Sequence, residues 1–314
     1  MQLVRQKEEM TGKGGRQVRM VMAVLLVAAI GSACATEPVD TPEPGGPRAA
    51  APAAGQEQAY RQGPARDLAG YAERLRRAQT VRVAAAKKWG LAQAPLAAPP
   101  PPAVKPEITT RKGFEAGRGL PPVFTTVPVD ERVVFLTIDD GVEKDPKLLR
   151  MMTELGVPYS AFLSNYLVRE NYGYFERMQA RGVSLHNHTL NHRYMPGLSY
   201  ARQKREICGM QTIIQKRYGK RPRLFRPPYG AYNADTLRAA RSCGIKAVPL
   251  WAAEAFPDRM EWREWDRDLH PGDIILTHFR GREQWKGTMP DMIRRVMKTV
   301  TAKGYAVARL EDYL

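Results

Sequence analysis

The chain has 314 residues, with 49 Lys and Arg against 32 Asp and Glu, and a net charge of +17 at neutral pH. That length holds one large domain or two smaller ones, and that charge points to acidic partners: nucleic acid, anionic lipid or an anionic polymer. The first hundred residues carry no core-like pattern, which excludes a single domain running from end to end.

In chain order, Arg5, Lys7, Lys13, Arg16 and Arg19 precede the apolar run "MVMAVLLVAAI", Met20 to Ile30, and the small residues "GSACA". A basic region, an apolar stretch too short to span a bilayer and a small-residue cut site predict an export signal over residues 1–34. Cleavage before Cys34 resembles lipoprotein processing and would anchor the chain to the outer face of the membrane by a lipid on Cys34, although Gly31 stands where Leu is usual. Cleavage after Ala35 would instead release a soluble protein. Five bases and two acids precede Cys34, so a chain beginning there keeps a charge of about +14. Export argues against nucleic acid and leaves anionic wall polymers as partners of the basic surface. Residues 35–106 predict a Pro/Ala-rich stalk. It carries a short basic helix, with Leu68, Tyr71, Ala72 and Leu75 at helical spacing, and then the polyproline spacer "APLAAPPPPAVKP", Ala94 to Pro106.

From residue 107 to 314 strands and helices alternate. "RVVFLTI" reads as a buried strand and "DPKLLRMMTELG" as a helix with a glycine stop; "VPYSAFLS" and "VSLHN" are strand-like, with the helical "YGYFERMQARG" between them. The long helix "SYARQKREICGMQTIIQKRYG", the strand "RLFR" before a "PPYG" turn, and the helix "NADTLRAARSCG" follow. The strands "IKAVPLW" and "DIILTHF", the helix "TMPDMIRRVMKTVTAKG" and a last strand "YAVARL" complete the pattern. Such alternation implies a parallel sheet with helical cover, an open doubly wound sheet or a barrel. Cys208 and Cys243 either pair, as an exported chain permits, or remain two buried thiols.

Ionisable residues sit where these strands end: Asp139 and Asp140 after one, Arg226 after another, His278 after a third. In parallel α/β folds the strand C-termini share one face, where sites are built. An N-cap role for the Asp-Asp pair does not explain why three elements deliver charge to the same rim. "LHNHTLNH" adds His186, His188 and His192, and the i, i+4 pair His188 and His192 shares a face if that turn is helical. Two imidazoles and a carboxylate form a common ligand set for catalytic zinc, and the second carboxylate would take a proton from a metal-bound water.

In this order and spacing the motifs resemble those of the polysaccharide deacetylase family (carbohydrate esterase family 4), over roughly residues 130–312. "TIDDG" is similar to its T-F-D-D-G, "HTLNH" to its H-[ST]-x-x-H, "RPPYG" to its third motif and "LTH" to its last. The resemblance implies an α/β fold, a distorted (β/α) barrel with fewer than eight regular repeats. It implies that Asp139 is the general base, that Asp140, His188 and His192 hold the metal, and that Arg226 pairs with Asp139. Tyr229 would offer its backbone N–H to the oxyanion and His278 would act as general acid. The ion expected of these ligands is zinc, with cobalt or nickel able to replace it. The implied activity is removal of N-acetyl groups from amino sugars of peptidoglycan or a related polymer. An O-deacetylase, or a non-catalytic wall-binding lipoprotein on the same fold, is the alternative.

The fourth motif departs from the family's W-x-x-D-x-x-D-W: "WAAEAFPD" has Trp251 in register, Glu254 for the first Asp, and Pro257 and Asp258 for Asp-Trp. Glu254 or Asp258 is expected to serve His278 and raise its pKa, with Trp262 or Trp265 walling the acetyl pocket. His186, where Gly is more usual, is expected to support the metal site from behind or to be structural.

Overall fold

The structure is a computed structural model and describes residues 54–314; the expected leader over 1–34 with Cys34, and the linker to residue 53, lie outside the described residues. The chain runs α1 (Ala54–Lys88), β1 (Val123–Phe124), β2 (Val133–Asp140), α2 (Pro146–Leu155), β3 (Ser160–Leu163), α3 (Asn165–Val168), α4 (Tyr172–Gln179), β4 (Ser184–Asn187). It continues with α5 (Tyr200–Tyr218), α6 (Ala234–Ser242), β5 (Val248–Pro249), β6 (Ala253–Ala255), β7 (Met260–Trp262), β8 (Ile274–His278), α7 (Met289–Ala302) and β9 (Ala306–Ala308).

The main sheet has the order β4-β3-β2-β8-β6-β7, with β9 beside the first half of β2, and every pairing is parallel except β6 with β7. A parallel pair, β1 with β5, stands apart from it, and single bridges at Asn187–Phe225, Leu224–Ala247 and Thr126–Asp273 connect the two sheets. The expected strand over 223–226 is reduced to two such bridges, because Pro227 and Pro228 follow with no N–H to donate. Pro249 shortens β5 in the same way.

Strand β2 is buried along its whole length, as its continuous apolar run requires. Val134, Leu136 and Ile138 pack with Leu148, Met152, Ile293 and Val296 of α2 and α7, whereas Val133 and Phe135 pack with Phe162, Ile274 and Tyr313. Asp145 caps α2 by accepting from Lys147 N at 2.8 Å, with Pro146 in the first turn and a left-handed Gly156 at the end. The N-cap role therefore belongs to Asp145, which leaves Asp139 and Asp140 free for other work.

Where a short helix was expected, α1 runs for 35 residues. Tyr71 and Leu75 lie exposed on it, and near its end Ala85 and Ala86 are buried against the domain core. The proline run lies along the domain: Arg82 donates to Pro95 O, Leu96 bridges Ala306, and Lys105 Nζ donates to Glu311 O at 3.1 Å. Cys208 and Cys243 form a disulfide that ties α5 to the end of α6, so the paired alternative is the one observed.

Candidate active site

The site forms at the C-terminal ends of β2, β4 and β8. Pairing places Asp139 opposite His278. By strand alternation Asp140 would follow Leu136 and Ile138 toward the helices, but its φ of 81° re-aims it. Gly141 follows at φ 103°, where a Cβ would lie 2.4 Å from Val168 Cγ1, so the turn after the doublet admits no side chain.

Arg226 is wholly buried and spends four of its five N–H groups. Nη1 donates to Thr137 Oγ1 and Asp139 Oδ1, both at 2.8 Å, Nε to Pro249 O at 2.8 Å, and Nη2 to Leu250 O at 3.1 Å. The guanidinium also lies 4.4 Å above the Phe162 ring. Burial pushes the Asp139 carboxyl up to about 6, even though Arg226 and His278 draw it down. Its Oδ1 is held by Arg226, and its Oδ2 lies 3.8 Å from His188 Nε2.

His188 and His192 converge, but not on a helix. Thr189 and His192 take left-handed conformations, φ 73° and 52°, and the segment is an irregular bend. Side chains from its surroundings impose that shape. Asn187 Oδ1 accepts from Thr189 N at 2.9 Å, Thr189 Oγ1 from His192 N at 3.0 Å, and the Glu206 carboxylate from both the backbone and side-chain nitrogens of Asn191 at 2.8 Å. His188 Nδ1 donates to Arg226 O at 2.7 Å, which leaves the Nε2 lone pair free. Burial, with the His192 imidazole adding to it, pulls His188 down to about 3, so the ring is neutral near pH 7.

Asp140 Oδ1 is buried with no hydrogen-bond partner, 3.2 Å from His192 Nε2 and 3.6 Å from His188 Nε2. Burial works to raise this carboxyl, yet the imidazoles of His192, His278 and His188 hold it well below the usual carboxylate range. An orphaned anionic oxygen facing two imidazole nitrogens, with the ligand atoms of all three residues within 4.8 Å of one another, fits a divalent ion.

His278 Nδ1 lies 3.5 Å from Glu254 Oε1, whereas Asp258 is exposed and paired with Arg259 at 3.1 Å. Of the two acids expected to serve His278, Glu254 is therefore the one within reach. Burial pushes Glu254 up to about 7, with Glu261 and Asp139 adding to it. The expectation that a carboxylate raises His278 is not met. Burial pulls its pKa down, against the opposing pull of Asp140 and Asp139. Trp265 is 92% exposed and walls nothing. The tryptophan ring close to His278 is Trp285, at 6.2 Å. Tyr229 adopts φ 63° with its exposed ring 4.8 Å from that of His192, and Gly230 brings the turn against Trp251, where a Cβ would lie 2.9 Å from Cη2.

Arg280 was not anticipated. It donates through Nη2 to Asp140 Oδ2, so each carboxylate of the doublet has its own guanidinium. Its i+2 spacing from His278 was the available signal. His186, in contrast, stands apart from these candidate ligands: its Nε2 lies 2.6 Å from Glu311 Oε1, its ring packs 5.0 Å from that of Phe162, and Ser160 Oγ donates to the same Glu311 oxygen at 2.7 Å.

A family model described as polysaccharide deacetylase matches residues 126–248. An uncharacterized protein of Streptomyces coelicolor is 41% identical over 201 residues, which covers 64% of this chain and 80% of that one. The chain belongs to the polysaccharide deacetylase family. A peptidoglycan-N-acetylglucosamine deacetylase of Bacillus cereus is 24% identical over 202 residues, 60% of this chain and 91% of that one. A family 4 carbohydrate esterase from Bacillus anthracis superposes with a TM-score of 0.51 at 24% identity, covering 61% of this chain and 86% of the other. A family 4 pseudoenzyme from Bacillus anthracis superposes at 0.53 with 20% identity, covering 62% and 69%. These likenesses show the fold: family members with and without activity share it.

The Glu311–His186 pair generates a stability prediction. Burial alone would raise Glu311, but the hydrogen bonds and charge of His186, with Ser160, outweigh it and hold the carboxyl down at about 2. A depressed folded-state pKa contributes stability that is complete above the ordinary value of 4.5 and is lost as pH falls from there through about 2. Glu311→Gln is expected to cost about 2–3 kcal/mol in urea unfolding at pH 7, and the gap should close on acidification through that window. Equal stability of the two proteins at pH 7 would show that the pair contributes nothing.

Proposed function

We propose that the chain is an exported, metal-dependent hydrolase that removes N-acetyl groups from amino sugars of peptidoglycan or a related wall polymer. The observation that carries this reading is the placement of both Asp139 Oδ2 and Asp140 Oδ1 close to one lone-pair nitrogen, His188 Nε2, at 3.8 and 3.6 Å. A base candidate and a cation ligand set thus stand together, with His278 beside Asp139 on the neighbouring strand. Relatives named as peptidoglycan deacetylases support the substrate class. The donor set of Asp140, His188 and His192 suits zinc, with cobalt or nickel able to occupy the same ligands. We also read the bridges from β4 through Phe225 and Ala247 to β5, β1 and β8 as the closure of a distorted barrel.

Asp140, His188 and His192 would hold a divalent ion, which would lower the pKa of a bound water and polarise the acetyl carbonyl. Asp139 receives the proton at Oδ2, because Arg226 holds Oδ1, and a carboxyl raised to about 6 is a better matched base near neutral pH than an ordinary aspartate. The Tyr229 backbone N–H is the oxyanion donor. His278 gives the departing amine its proton, and Glu254 orients the ring through Nδ1. The basic surface holds anionic wall polymer, and a lipid on Cys34 tethers the protein to the outer face of the membrane. The Cys208–Cys243 disulfide accords with an oxidising compartment.

Acetate release from peptidoglycan and from N-acetylglucosamine oligomers tests the reading. Asp139→Asn should retain stoichiometric zinc while turnover falls by about 10²-fold or more, and His188→Ala should lose both. Zinc-free His188→Ala with full activity sinks the metal role.

Glu254→Gln is expected to lower kcat by about 10²-fold with little change in KM, whereas Asp258→Asn stays close to the parent. Activity lost only in the Asp258 variant would reverse the assignment.

For the anchor, Cys34→Ala should move the protein from the membrane to the soluble fraction. A mature N-terminus at Thr36 in the parent would show release instead.

A further inference from the structure

Arg280 sits where the proposed catalysis does not call for a cation. Its guanidinium donates to Asp140 Oδ2, while Oδ1 is the oxygen nearest His188 and His192, and Asp140 is 1% exposed. The backbone that delivers it is pinned. Phe279 N donates to Asp139 O at 3.0 Å, Glu143 N donates to Phe279 O at 2.9 Å, and Arg280 N donates to His278 O at 2.9 Å. Phe279 is itself fully buried, with its ring 5.8 Å from that of Phe175. Arg280 thus leaves a hydrogen-bonded turn directly after His278, and that turn sets where its side chain begins.

We propose that Arg280 is a positioning residue that keeps Asp140 bound to the ion through Oδ1 alone and so holds the metal loosely and electrophilic. This rests on the reading of Asp140, His188 and His192 as ligands. A carboxylate can grip a divalent ion with one oxygen or two. With Oδ2 committed to a guanidinium, the two-oxygen mode is closed. The bond also draws electron density from the carboxylate and makes it a poorer donor. That effect is the reverse of a carboxylate hydrogen-bonded to a ligand histidine, which makes its ligand more basic. A fixed positive charge behind the ligand repels the ion as well. All three effects weaken affinity, and the second leaves the ion more electron-poor toward a water and a carbonyl oxygen.

The sign of the effect separates this role from a merely structural one. A residue that only supports Asp140 would, when removed, slacken the ligand set and weaken metal binding. Arg280 should do the opposite. Zn2+ is titrated into metal-free full-length protein against a chromogenic chelator, with His192→Ala as the control for the ligand set. Arg280→Ala and Arg280→Gln each remove a fixed positive charge from beside the ion and are expected to bind zinc about tenfold more tightly than the parent, and to turn over more slowly although the site is full. Arg280→Lys, which keeps the charge, should stay within about threefold of the parent. Weaker binding in the Ala and Gln variants would make Arg280 a scaffold and overturn the proposal. Unchanged binding would overturn it equally. Failure of the parent to bind zinc, or undiminished binding in His192→Ala, would remove the ligand reading itself and this inference with it.

Discussion

The ion pair between Arg226 and Asp139 is the constraint on which the remaining geometry rests. Isolating a guanidinium from water costs several kcal/mol unless acceptors surround it. Here they come from separate parts of the chain: Thr137 and Asp139 on β2, and the carbonyls of Pro249 at the end of β5 and Leu250 after it. The Arg226 carbonyl in turn takes the Nδ1 proton of His188. One residue thereby sets the charge of the general-base candidate and the tautomer of a metal-ligand candidate. The strands around it cannot shift without leaving a buried charge unpaired.

That arrangement explains how two adjacent aspartates differ. Asp139 shares an ion pair with Arg226 but is so deeply enclosed that desolvation wins, and its carboxyl is raised. Asp140 is just as enclosed, but imidazoles surround it and Arg280 holds its far oxygen, so its carboxylate form prevails. Neighbouring carboxyls driven in opposite directions accord with the roles proposed for them, one as proton acceptor and the other as ligand.

Strong local rules were legible in the residues. The apolar run ending at Asp140 could only be a buried strand, and Asp145-Pro146 with Gly156 bracketed a helix correctly. The rim arrangement of Asp139, Arg226 and His278 followed from strand order alone. The elements that escaped are those with little local signal. The two-residue strand β1 exists only because it finds β5, and the hairpin β6–β7 crosses a stretch without alternation. The convergence of His188 and His192 is produced by left-handed residues and by Asn187, Thr189 and Glu206, which a spacing rule cannot register. Glu254 and Asp258 were indistinguishable in sequence because only the register of β6 beside β8 decides which carboxyl reaches His278.

The Cys208–Cys243 crosslink reaches further than its distance from the site suggests. It fastens α5, and α5 supplies the partners that shape the imidazole loop: Asn187 Nδ2 donates to Ile207 O and to Gln211 Oε1, and Glu206 grips Asn191. Helix, staple and loop are thus one mechanical unit. Material produced in a reducing cytosol would keep the sheet, whose ladder is independent of the sulfurs, while the anchorage of the loop between β4 and α5 slackened. The redox history of a preparation is therefore a hidden variable in any test of ion binding at the proposed ligands His188 and His192.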